Sequence, residues 1–399
     1  MVFPVLSNIL EKKTTYIICT CIFLLLYFEV FAMSLLNIDN PGMAYVFSRI
    51  QKYSRFVLIF IYFYYFVYRS FEKRRFFVFL ILLFFVCFAK FKWAIFDLFF
   101  IPILLSGLVS SKLVYKFSLL GLLFGCLCVC CMSYFGLFHD VTFYRAASIR
   151  YHLGFSHPNA FGFTLTIVGM LYTLLYYRIK FYNCFFVLLF LSLFCYFVPN
   201  SVTASSVIFL LFIILLAFRA GLFNFVLLHK KLILILTFFI LFLFIFLFFY
   251  ISVTHHGLEL FKNKILETFG ARLTLTGEAL KSYDFSLLGQ KTLTSGNLDI
   301  LLGRNTSLKY MVMDSLYISF PIRIGVLPGI MFAICYVIAM TNTIIRNNFM
   351  LFFIQLLLLI YSFSESYVIN TSLMAMFIFV FPFSTEYFTS EDNCFKVKL

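Results

Sequence analysis

Charge is scarce in this sequence. Of 399 residues, 12% are Asp, Glu, Lys or Arg, where an ordinary soluble domain carries about 25%. The hydrophobic share is 63% and the mean hydropathy +1.03, which excludes a water-soluble fold because too little polar surface exists to cover that much apolar side chain. Strict apolar/polar alternation is missing too, and an outer-membrane barrel needs it. There is no Gly-x4-Gly-Lys-Ser/Thr loop, no dinucleotide fingerprint, no Asp-x-Asp pair and no His/carboxylate cluster with metal spacing. Nucleotide-dependent and metal-dependent mechanisms therefore lack their usual parts, and neither a cofactor nor a metal is expected. The 11 cysteines lie in apolar runs or at Cys394 in the tail, which argues against a disulfide framework. The group Cys126, Cys128, Cys130 and Cys131 lacks His or carboxylate partners and reads as packing. The net charge of +15 is scattered along the chain, unlike the clustered basic face of a nucleic-acid binder.

What the chain does have is a succession of apolar runs. A bilayer core about 30 Å thick takes about 20 mostly apolar residues per helix. Such runs predict about twelve spans, at 14–36, 56–70, 76–89, 93–110, 117–138, 158–177, 181–198, 202–218, 232–253, 314–340, 348–363 and 367–386. The expected fold is all-α: a polytopic transmembrane helix bundle forming one membrane domain over 1–399. The first run, behind Glu11, Lys12 and Lys13, resembles a signal peptide but has no small-x-small cleavage site, so it reads as a retained span. With the N-terminus in the cytoplasm, sixteen Lys and Arg fall on the inner side and seven on the short outer loops. That asymmetry predicts both termini inside. Arg49, Lys52 and Arg55 run against it, and the Asp39-Asn40-Pro41-Gly42 turn before them suggests a short interfacial helix. One connection, 254–313, is far longer than the rest and becomes a large extracytoplasmic loop, where folding and function are both expected.

Candidate chemistry gathers at the outer side. In Arg150-Tyr-His-Leu-Gly154-Phe-Ser-His157-Pro158-Asn159, Pro158 suits the first helical position, so His157 caps a helix whose unpaired amides point outward beside Arg150. An outward helix N-terminus next to a guanidinium can hold phosphate, although the same residues can simply shape a turn. Arg272 and Arg304 in the long loop could grip a diphosphate in a bidentate manner, or be solvated loop charges. Asp314 and Tyr317, three apart, open the tenth span, where Asp314 could be a general base or a helix cap. Charges inside spans are Glu29, Asp97, Arg323 and Glu365, and burial makes each a functional candidate, with an interhelical clamp the plain alternative for Glu29 and Asp97.

Taken in order, Gly154-Phe-Ser-His157-Pro158-Asn159, Arg272-Leu in the long loop, Asp314-Ser-Leu-Tyr317 before Gly325, and Glu365 before Asn370 resemble the O-antigen and capsular polysaccharide polymerase (Wzy) family over about 140–372. The resemblance implies a membrane glycosyltransferase that joins undecaprenyl-diphosphate-linked oligosaccharide repeat units on the outer face of the cytoplasmic membrane, for capsule, exopolysaccharide or O-antigen. It implies Arg150 and Arg272 as diphosphate binders, and Arg304 and Arg323 join the substrate-binding candidates by their own places in the long loop and inside the tenth span. His157, Asn159, Asp314 and Tyr317 would neighbour the reacting sugars, and the base is Asp314, His157 or Glu365. Its partners would be the lipid-linked oligosaccharide, the bilayer, and flippase and chain-length regulator proteins, with no nucleic acid. The related ligases carry a His-Asn-x-Tyr-like motif where this chain has Asp314-Ser-Leu-Tyr317, so an O-antigen-type ligase stays open. So does a flippase or transporter of the lipid-linked unit, although no inverted repeat between the halves supports transport.

Overall fold

The computed structural model describes residues 2–68, 109–138, 143–145, 148–221, 223–254, 277, 280, 283–289 and 315–364. The spans expected at 76–89 and 367–386, nearly all of the one at 93–110, and most of the long loop lie outside them. Apart from one small hairpin, the described chain is helical: α1 (Val2–Ala32), α2 (Leu36–Asp39), α3 (Pro41–Tyr68), α4 (Ser111–Tyr134), β1 (Phe143–Arg145), β2 (Ser148–Arg150), α5 (Pro158–Tyr176), α6 (Phe181–Phe197), α7 (Val202–Arg219), α8 (Phe223–Leu228), α9 (Lys230–Thr254), α10 (Leu316–Arg323), α11 (Val326–Ile345) and α12 (Phe349–Ser364). Among the described residues five helices are long and apolar enough to cross a membrane: Lys13–Ala32, Ser111–Tyr134, Pro158–Tyr176, Val202–Arg219 and Val326–Ile345. Their outward faces carry exposed Phe124, Phe209, Leu210 and Ile330, the reverse of a soluble surface. This is a multi-pass membrane protein.

Helix α1 lies between α3 and α4, α4 leans on α5, and α5 contacts α6 and α7 before α7 meets α12. Because α5 is apolar all round, it can sit at the centre, and it is buried without a break from Ala160 to Leu171. Its hydroxyls need no partner helix: Thr164, Thr166 and Thr173 each donate to the carbonyl four residues back, at 2.9, 2.9 and 2.8 Å. Between α6 and α7 a reciprocal pair closes instead, Ser192 Oγ donating to Ser205 O at 3.0 Å and Ser205 Oγ to Ser192 O at 2.9 Å, the kind of side-chain bond that joins helices in lipid.

The α1–α4 contact depends on two glycines four apart on one face of α4. A Cβ added at Gly121 would lie 2.7 Å from Phe23 O, and one at Gly125 would lie 2.9 Å from both Tyr27 O and Val30 Cβ. Backbones approach this closely only where small residues line the seam. Gly125→Val should cost about 1–3 kcal/mol by overpacking, seen as a lower melting midpoint of detergent-purified protein. Gly169→Ala should be much milder, since its methyl would meet only movable ends of Leu188 and Leu191, at 3.3 and 3.4 Å.

Two expectations need correction. The interfacial helix and second span are one helix, α3, of 28 residues. Asn40 Oδ1 accepts from Met43 N at 3.0 Å at its start, and Gln51, Ser54 and Arg55 turn inward while Arg49 stays exposed: Gln51 Nε2 donates to Glu29 Oε2 at 3.0 Å and to Leu25 O at 3.3 Å. Glu29 thus serves the clamp between α1 and α3. The tenth span, expected as continuous, breaks between α10 and α11 at Gly325, where φ is +124°. Pro321 weakens the preceding turn, and segment 283–289 docks on the break. Ser286 O accepts from Val326 N at 2.9 Å and Leu287 O from Leu327 N at 3.2 Å, satisfying amides that a helix start leaves without intrahelical partners.

Candidate functional site

The strands β1 and β2 pair antiparallel with Phe143 opposite Arg150. Beyond β2 three backbone bonds pin the chain, one to the end of α6 and two to the end of α1. Tyr151 N donates to Val198 O (3.1 Å) past the end of α6, Leu35 N to Gly154 O (2.9 Å), and Ser156 N to Met33 O (2.8 Å). The turn itself uses two left-handed residues, Leu153 (φ 47°) and Gly154 (φ 86°). Gly154 is also crowded: a Cβ there would sit 2.9 Å from the Phe138 ring and from Val129 O. Phe155 is fully buried and tilts against Phe161, ring centroids 4.8 Å apart. The hairpin, the end of α1 and the α6–α7 turn therefore meet at one end of the bundle, where α5 begins.

At that meeting point His157 is the N-cap of α5 and Pro158 opens it. His157 Nδ1 accepts from Asn159 N at 3.1 Å. In a neutral ring this leaves the proton on Nε2, so the imidazole presents a donor from its far edge. Arg150 is 9% exposed. Its Nε donates to Pro199 O at 3.1 Å and its Nη2 to Asn159 Oδ1 at 2.5 Å, which fixes the plane of the guanidinium against the first turn of α5. Cation, helix N-terminus and His157 donor share one corner. Such a corner favours an anion, because fixed donors and the positive helix end act there together. Two features of it were not singled out from sequence. The Phe143 ring stands edge-on to both His152 (5.4 Å) and His157 (5.3 Å), and His152 Nδ1 lies 2.8 Å from Phe155 O.

A second group forms around α10. The Tyr317 hydroxyl donates to Leu359 O on α12 at 3.0 Å, and its ring lies 4.4 Å from that of Phe363. Arg323 ends α10, and its carbonyl faces Gly289 across the helix break. The cap position of α10 falls to Ser315, not Asp314. The structure thus joins Arg150, His157 and Asn159 in one corner and ties Tyr317 to α12. Arg272, Arg304, Asp314, Glu365 and Asp97 lie outside the described residues. Among the described residues no group of three or more His, Cys, Asp or Glu could hold a metal ion. Compared with family models, curated proteins and solved structures, the chain shows no match.

Proposed function

We propose that this protein is a polysaccharide polymerase, a membrane glycosyltransferase that joins oligosaccharide repeat units carried on undecaprenyl diphosphate at the outer face of the cytoplasmic membrane. One observation carries the reading: a buried guanidinium, Arg150, held by Pro199 O and Asn159 Oδ1 against the His157-capped start of α5. As the sugar C1–O bond breaks, negative charge grows on the departing diphosphate. Fixed donors stabilise that charge more than the ground state, which is what lowers a barrier. In this reading Arg150, the first amides of α5 and the Nε2–H of His157 face the diphosphate, and we assign Arg272 and Arg304 of the long loop to it as further cations. The acceptor hydroxyl loses its proton to Asp314 or Glu365, because the Nδ1-accepting ring of His157 suits it to donate instead. The energy lies in the sugar–diphosphate bond, so the transfer needs no nucleotide. Both termini face the cytoplasm, consistent with the sixteen Lys and Arg on that side.

A ligase moving finished polymer would use similar chemistry, and a flippase of the same lipid-linked unit would need its polar groups near mid-bilayer, whereas Arg150 and His157 sit at the start of α5. Deletion of the gene, followed by electrophoresis of surface and lipid-linked glycans, separates the three. Single repeat units accumulating on lipid at the outer face are expected. Full-length polymer retained on lipid would mean a ligase, and single units confined to the inner face would mean a flippase.

A further inference from the structure

At the opposite end of the bundle the chain forms a basic pocket between the start of α4, the end of α5 and the turn before α12. We propose that this pocket binds the phosphate headgroup of an anionic phospholipid from the adjoining leaflet. Lys112, in the first turn of α4, and Arg178, just past α5, line it together with Tyr115 and Asn348. Arg178 Nε donates to the Tyr177 hydroxyl at 2.7 Å, and its guanidinium lies 5.4 Å from the centre of that ring, which holds the charge at the pocket. Asn348 Oδ1 accepts from Leu351 N at 3.3 Å, so α12 begins here as α4 does, and two helix N-termini add positive potential. No Asp or Glu occurs at 98–139, 141–258 or 315–364. The segments forming this pocket and the neighbouring Lys116 and Lys180 therefore bring no carboxylate to it.

A free phosphate would be satisfied by the cations alone. The apolar wall points to a lipid instead, since Leu174, Leu175 and Ile179 line the same pocket, and Ile179 is 71% exposed. Basic groups at a membrane surface attract anionic lipid, and an adjoining apolar wall suits its acyl chain. The proposal is independent of the glycosyltransferase reading, because it concerns the other end of the molecule and needs no turnover.

The test uses the intact chain purified in neutral detergent and given phosphatidylglycerol, phosphatidylcholine or inorganic phosphate, with bound lipid counted by native mass spectrometry and the melting midpoint followed in parallel. Phosphatidylglycerol should be retained and raise the midpoint, whereas phosphatidylcholine and inorganic phosphate should do neither. The double variant Lys112→Gln/Arg178→Gln should weaken retention roughly tenfold or more, while Lys52→Gln on α3 should leave it unchanged. Should the double variant not purify, Lys112→Gln alone should weaken retention and Arg178→Lys should keep it. Equal retention in the charge-removing variants, or phosphatidylcholine held as tightly, would overturn the proposal, and a midpoint shift with inorganic phosphate alone would reassign the pocket to a free anion.

Discussion

Arg150→Ala should abolish long polymer and lower the rate of repeat-unit transfer by about 10²–10³, the loss of one preorganised donor to a developing anion. Arg150→Lys should recover little of it. A lysine brings a point charge and cannot present a planar fork to Pro199 O and Asn159 Oδ1 while also facing a diphosphate. The difficulty is that Arg150 also braces the corner, so a folding defect would give the same phenotype. Asn159→Asp separates the roles. A carboxylate at that position would hold the buried guanidinium at least as firmly as the amide does, yet it would neutralise the charge on offer and repel an anionic substrate. A purely structural Arg150 predicts a stable, active Asn159→Asp protein. The diphosphate reading predicts normal protein in the membrane with little polymer and single units accumulating on lipid. Normal polymer length in Asn159→Asp would sink the assignment.

Much of this was legible in the sequence where the signal is local. The spans expected at 158–177, 181–198 and 202–218 end within a residue or so of α5, α6 and α7, because Pro158, Lys180 and Ser201 punctuate the apolar runs. The His157 cap was readable for the same reason, since Pro at the first helical position names the residue before it. What failed depends on distance along the chain. Arg49, Lys52 and Arg55 read as an interfacial helix, and nothing near them announces that Gln51 meets Glu29, 22 positions away. The Pro199 carbonyl that holds Arg150 comes from 49 residues off. Two further features had usable signals that hydropathy obscured. Gly121 and Gly125 have the spacing of a close helix crossing, and Pro321 followed by Gly325 marks an interrupted helix, but both lie in runs apolar enough to pass as ordinary spans.

That interruption carries the second large effect expected. Gly325→Ala should detach segment 283–289 from the break between α10 and α11 at a cost of about 2–5 kcal/mol, combining a non-glycine residue at positive φ with a backbone clash. A Cβ at Gly325 would lie 2.5 Å from Leu287 O and 2.7 Å from Gly289 N, while one at Gly289 would lie 2.4 Å from the carbonyl carbon of Ile324 and 2.5 Å from Arg323 O. The two glycines face each other across one contact, and neither side can yield because the crowding atoms are backbone. Once the segment lifts, Val326 N and Leu327 N lose Ser286 O and Leu287 O, and at the start of α11 no intrahelical carbonyl replaces them. Gly289→Ala should therefore do nearly the same damage, and the double variant little more than either single one, since both break the same contact. Limited proteolysis near 283–289 should become fast in all three, with cleavage tracking the lower melting midpoint. Fully additive losses would show instead that the glycines act in separate places, and that the docking of 283–289 does not secure the start of α11.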